Sequence, residues 1–108
     1  LHTLFPYTTL FRSRFDLIVL SELCYYLDAD DLGSLIDAAL ASLTDDGQLL
    51  ACHWRAPIDG CPQTADQVHA LLQQRLGMEN VARYHDCDVL LDLWSRDHGS
   101  VATHEGLR

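Results

Sequence analysis

Phe15 to Leu20 reads FDLIVL, and Leu17 to Leu20 form an unbroken apolar run. Such a run, with no polar alternation, is expected to be a strand buried on both faces, as in a parallel sheet. A parallel strand needs a crossover before its partner, usually a helix. The next segment supplies one. In LDADDLGSLIDAALASL, Leu32, Leu35, Ile36, Ala39, Leu40 and Leu43 recur at helical spacing. Asp28 suits the N-cap, and Asp30 and Asp31 suit the positive end of the helix dipole. Gly33 weakens the first turn without breaking it. Thr44-Asp45-Asp46-Gly47 then reads as a turn, with a glycine available for positive φ.

Gln48 to Trp54, QLLACHW, reads as a second buried strand. Arg55 to Gln63 holds Pro57, Gly60 and Pro62 and reads as a loop. Thr64 and Gln67 have the spacing of a capping box. Val68, Leu71, Leu72 and Leu76 give the helix that follows its apolar stripe, and Gly77 ends it. Glu79 to Tyr84 and Asp88 to Trp94 read as an antiparallel hairpin turning at His85, Asp86 and Cys87. In its second strand Val89, Leu91 and Leu93 are expected to form the apolar face, alternating with Asp88, Leu90 and Asp92. The order predicts an α/β fold: a partial Rossmann-like doubly wound sheet, β-α-β-α-β-β, with right-handed crossovers and a closing hairpin.

The 108 residues suffice for one small domain. A net charge of -9, with no lysine, argues against a nucleic-acid partner. No apolar run approaches the roughly 20 residues of a membrane span. None of the four cysteines forms a C-x-x-C pair. Cys24 and Cys52 lie at the ends of apolar segments, as small hydrophobes do. Free thiols in a reducing, cytoplasmic protein are the expectation. His53, Cys61, His69, His85 and Cys87 lack the tight spacing of zinc ligands, so no metal is expected.

The first thirteen residues, LHTLFPYTTLFRS, stand apart. Thr3 to Ser13 resembles, without a break, the translation of a common short-read sequencing adapter. Residues 1–13 are therefore expected to be adapter-derived and foreign to the fold. The natural sequence is expected to begin near Arg14, with its upstream part missing. The reading is a domain over 14–97 and a polar, fraying tail over 98–108.

Three segments carry a family resemblance: FDLIVLSELCYYL (15–27), SLTDDGQLLACHWR (42–55) and VARYHDCDVLLDLW (81–94). Together, Arg14 to about Asp97 resembles the C-terminal half of a class I S-adenosylmethionine-dependent methyltransferase of the nodulation protein S-like group. SEL-x-YYL and HWR carry the likeness to that group. The chain has Asp-Asp-Gly where the family usually has a Pro-Gly-Gly turn. The resemblance implies S-adenosylmethionine as cofactor and N-methylation of an amino sugar or other small-molecule acceptor. It also implies that the Gly-rich cofactor loop and a ribose-binding acid lie upstream; no GxGxxG occurs here. The chain alone is thus expected to be inactive. In the family's sheet order the strand at Leu17 to Leu20 would lose a neighbour, leaving an apolar edge open to self-association.

Ligands in open α/β sheets sit beyond the carboxyl ends of the strands. Leu20, Ser21, Glu22 and Tyr25 are the expected cofactor side. Tyr26, His53 and Trp54 are the expected acceptor side, and the resemblance implies that the helix carrying His69 lies near it. Either Tyr25 or Tyr26 could face the sulfonium, and Glu22 or His53 could take a proton. Each also has a purely structural reading: Glu22 as a strand-end pair, one tyrosine as core, His53 as a satisfied imidazole, Trp54 as packing, His69 as a rim position. Arg55 reads as a surface partner of an aspartate. The competing function is a non-catalytic doubly wound binding module, receiver-like for instance. Receivers want paired acids after an early strand, whereas Asp28, Asp30 and Asp31 open a helix. Convergence of Glu22 and His53 on one crevice would discriminate the two.

Overall fold

The computed structural model describes residues 13–107. The adapter-like segment, Ser13 apart, lies outside the described residues. Strand β1 spans Phe15–Ser21, and a short 3₁₀ turn covers Cys24–Tyr26. Helix α1 spans Ala29–Ser42, β2 Leu43–Trp54 and α2 Ala65–Leu76. The hairpin strands β3 and β4 cover Glu79–His85 and Val89–Ser95, and a short helix α3 covers Val101–His104.

Both long helices start where their caps dictate. The Asp28 carboxylate accepts the Asp31 N–H at 2.8 Å. Thr64 and Gln67 form a reciprocal capping box, each side chain accepting the other's backbone N–H. Gly77 ends α2 in the left-handed region, at φ 65°.

The sheet order is β1-β2-β4-β3, with β1 and β2 parallel and β4 antiparallel to both its neighbours. The register pairs Leu20 with Ala51, and Ala51 with Asp92. One face therefore carries Ile18, Leu20, Leu49, Ala51, His53, Leu90, Asp92 and Trp94. Leu32, Ile36 and Ala39 of α1 and Val68 and Leu72 of α2 close over this face in one apolar cluster.

Four expectations are corrected. β1 is not buried on both faces: Leu17 and Val19 are each 52% exposed. The cause is that the core lies under the two helices on the other face, and that among the described residues β1 pairs with β2 alone. In β4 Leu90, Asp92, Trp94 and the terminal Ser95 are buried, while Val89, Leu91 and Leu93 are half-buried. Thr44 to Gly47 is no turn, because β2 already begins at Leu43. The Arg96 guanidinium satisfies the carbonyls of Leu40, Leu43 and Thr44, all at 2.9 Å, so the helix passes into the strand without a loop. The tail carries α3, capped by Ser100. Cys24 sits in the 3₁₀ turn, and all four thiols are free.

Candidate functional site

β1 and β2 end side by side, Ser21 pairing with Cys52. At this rim Glu22 adopts φ 54°, a left-handed conformation unusual for a side chain of its size. Its backbone N–H is held by the Cys52 carbonyl at 3.0 Å. One Glu22 carboxylate oxygen accepts the Trp54 N–H at 2.8 Å, and the other accepts the Tyr25 hydroxyl. The three residues thus tie the two strand ends together. Such strained backbone persists where its surroundings fix it, commonly at functional sites. Burial, and then the Glu22 carboxylate, push the Tyr25 phenol well above its ordinary range.

The two tyrosines divide: Tyr25 is buried, whereas Tyr26 is 54% exposed. Trp54 is also open, at 43%. Ser21 lies exposed at the end of β1, and Leu20 is buried beneath it.

His53 converges on the same place from below. Its ring packs edge-on against Tyr25 at 5.3 Å, and it is fully buried. Its Nε2 accepts the Cys24 N–H at 3.2 Å, and its Nδ1 meets His69 Nε2 at 2.9 Å. Neither ring nitrogen is open to the crevice. Burial, and then the neighbouring His69, lower the His53 pKa to about 4, against a smaller opposing pull from Glu22. The satisfied-imidazole reading fits this geometry; the reading as a base at the crevice does not.

His69 is not a rim residue. It is 1% exposed, and its Nδ1 lies 2.6 Å from the Asp92 carboxylate. Burial lowers its pKa, outweighing the hydrogen bond to Asp92. Asp92, fully buried, also takes two bonds from Arg83, at 2.7 and 3.0 Å, and one from Asn80 at 3.1 Å. Burial raises the Asp92 pKa, but these hydrogen bonds outweigh it and hold the carboxyl below its ordinary value. Among the described residues no buried side-chain polar atom lacks a partner.

The sequence reading missed Asp92, Arg83 and Asn80. Asp92 had a signal: it falls two residues from both Leu90 and Trp94, in the period of a strand's inward face.

A polar cavity of about 260 Å³ opens between α2 and the hairpin, lined by Arg55, Asp66, His69, Ala70, Arg83, His85 and Leu90. Arg55 forks onto Asp66, with both bonds at 3.0 Å, as the surface reading expected. The candidate zinc ligands are not gathered: among the described residues no group of three or more His, Cys, Asp or Glu could hold a metal ion. Nor, among them, is any helix long and apolar enough to cross a membrane.

No protein-family model and no curated protein matches the chain. Solved structures do. A crystal structure assigned as a methyltransferase from Pseudomonas syringae is 58% identical, with a TM-score of 0.67 over 77% of this chain and 48% of that one. The described residues form half of a methyltransferase fold. The same methyltransferase fold appears in the N-methyltransferase NodS from Bradyrhizobium japonicum WM9, in complex with S-adenosyl-l-homocysteine. The identity there is 24% and the TM-score 0.63, over 77% of this chain and 46% of that one. An O-methyltransferase family protein from Burkholderia thailandensis shares it at 15% identity and a TM-score of 0.64, over 86% and 34%. The chain thus spans about half the length of the first two methyltransferases.

Proposed function

We propose that residues 14–97 are the C-terminal half of an S-adenosylmethionine-dependent methyltransferase domain whose reaction centre lies where β1 and β2 end. The observation that carries this reading is the Glu22 carboxylate. It is held by the Tyr25 hydroxyl and the Trp54 N–H at the ends of two parallel strands, within a methyltransferase fold. Ligands of open α/β sheets bind at that end.

The residues present fit a cationic cofactor. A sulfonium is stabilised by carboxylate oxygens and aromatic faces, and the rim supplies Glu22, Tyr25 and the exposed rings of Tyr26 and Trp54. When bound, S-adenosylmethionine supplies an electrophilic methyl group. Leu20, Ser21, Glu22 and Tyr25 would hold it on the β1 side. Tyr26 and Trp54 take the acceptor, while His69, buried with both ring nitrogens bonded, supports the site from beneath rather than touching it. Glu22 orients the acceptor amine and receives its proton, because both nitrogens of His53 are already committed. A nitrogen acceptor, an amino sugar or other small amine, is supported by the structural likeness to an N-methyltransferase.

The 108-residue chain itself is inactive under this reading, since the cofactor loop and the ribose-binding acid belong to the other half. The test is calorimetric. The chain alone shows no binding of S-adenosylhomocysteine, and the protein extended upstream in frame binds it. In that extended protein Glu22→Gln lowers methyl transfer at least about a hundredfold, the lower end of general-base contributions. Undiminished transfer by the variant, or no cofactor binding after extension, overturns the reading.

A further inference from the structure

Every proton in the buried chain from Cys24 to Asp92 is assigned by its partners. A backbone N–H can only donate, so His53 Nε2 carries the lone pair that accepts from Cys24. The His53 proton is therefore on Nδ1 and points at His69 Nε2, 2.9 Å away. That nitrogen must accept, which places the His69 proton on Nδ1, facing the Asp92 carboxylate at 2.6 Å. The carboxylate can only accept. Both rings are neutral, and both carry hydrogen on Nδ1. A further proton on either ring would set two donors against each other, at Cys24 in one case and at His53 in the other.

The far end of this chain is the turn that carries Tyr25. The His53 ring holds the Cys24 N–H, and the next residue, Tyr25, bonds Glu22. Glu22 bonds the N–H of Trp54, the residue that follows His53. These links form a closed loop, fixed from below by His69 and Asp92. Arg83 and Asn80 anchor the Asp92 end.

We propose that His69 and Asp92 are positioning residues, which lock the His53 tautomer and so hold the Cys24–Tyr26 turn and its Glu22–Tyr25 pair in place. What that pair is held for rests on the proposed function; the lock itself does not.

The test uses the 108-residue chain without cofactor. Long-range ¹⁵N–¹H spectra at pH 7 should show His53 and His69 both neutral with hydrogen on Nδ1. A charged ring, or hydrogen on Nε2 of either, overturns the proposal. Amide exchange then reads the positioning. His69→Leu removes the acceptor for His53 Nδ1–H, and exchange at Cys24 should quicken tenfold or more while Leu49 in mid-sheet is unchanged. His69→Gln, whose amide oxygen can accept that proton, should restore slow exchange at Cys24. Should the leucine variant fail to fold, the glutamine variant and the tautomers decide. Equal acceleration at Cys24 and Leu49 in His69→Gln, or none at Cys24 in a folded His69→Leu, overturns the proposal. Neither readout involves methyl transfer. A failure of the methyltransferase reading would leave both intact.

Discussion

His69 donates its Nδ1–H to the Asp92 carboxylate across 2.6 Å, in a place where the two side chains are 1% and 0% exposed. The ring stays neutral, so the charge that balances Asp92 is the half-exposed Arg83 guanidinium. The core of this small sheet therefore contains an ionised carboxylate whose counterion reaches in from the cavity wall. Removing Asp92 leaves the buried His69 Nδ1–H and the Asn80 amide without their acceptor, while the half-exposed Arg83 can turn to water.

Asp92→Ala is expected to cost about 1–3 kcal/mol, the penalty of leaving the buried His69 donor unsatisfied. Asp66→Ala, which breaks the more exposed fork with Arg55, is expected to cost under about 1 kcal/mol. Urea unfolding of the two variants measures the contrast. Similar midpoints would mean that Asp92 is far less committed than its four hydrogen bonds indicate.

Acid should loosen the fold before it reaches the carboxylates. His53 falls from an ordinary 6.5 to about 4 in the folded chain, chiefly through burial. The unfolded state then binds more protons between those values, so stability falls as pH drops from 6.5 towards 4. The loss for this ring is about 3 kcal/mol, and His69 adds to it with the same sign. Asp92, held low, contributes only at pH values under its ordinary 3.8. Arg83 stays charged throughout. Unfolding midpoints at pH 7, 5.5 and 4.5 should descend in order; a flat profile over that range contradicts the assignment.

Glu22 combines a left-handed backbone with two accepted hydrogen bonds, and the contributions separate by substitution. Glu22→Ala keeps the strain and leaves the Trp54 N–H and the Tyr25 hydroxyl without their acceptor, costing about 1–3 kcal/mol. Glu22→Gly loses the same bonds but relieves the backbone, so it should be milder than alanine by about 1 kcal/mol. Thermal unfolding of the pair decides. A glycine variant less stable than the alanine one would mean the backbone is unstrained.

The outer face of β1 carries Phe15, Leu17 and Val19, each about half exposed. Strands with an open apolar edge template pairing with another chain. Sedimentation should show concentration-dependent oligomers for the 108-residue chain, and Leu17→Lys with Val19→Lys should return it to monomer. A monomer at every concentration in the unaltered chain contradicts this.

What could be read in advance was local. Asp28, the Thr64–Gln67 box and Gly77 act on backbone groups within four residues, and each sits where its residue type predicts. The strand–helix alternation likewise needed only short windows. What was missed depended on distant partners. Thr44 to Gly47 has turn composition, but distant partners hold it extended: Asp16 accepts the Thr44 hydroxyl, and Arg96, some fifty residues on, bonds the Thr44 carbonyl. His69 lies beside Val68 and three residues before Leu72 on the buried stripe of α2, a position that polarity concealed. At the rim, Glu22 and Tyr25 were legible because they follow a strand. For His53 the satisfied imidazole was one of two readings, and its partners, a backbone amide in the 3₁₀ turn and a histidine on α2, were not legible.

The Arg96 fork has a consequence for how this chain can be cut. It fastens the last turn of α1 and the first residues of β2 as though they were one piece, and its own N–H bonds Gly47 at 3.0 Å. New termini or an inserted domain between residues 42 and 47 would strand a guanidinium and three carbonyls at once. The exposed tip at Asp59 and Gly60, in the loop between β2 and α2, lies between the anchored Arg55 and Gln63 and is where a permuted or split version of the sheet should survive.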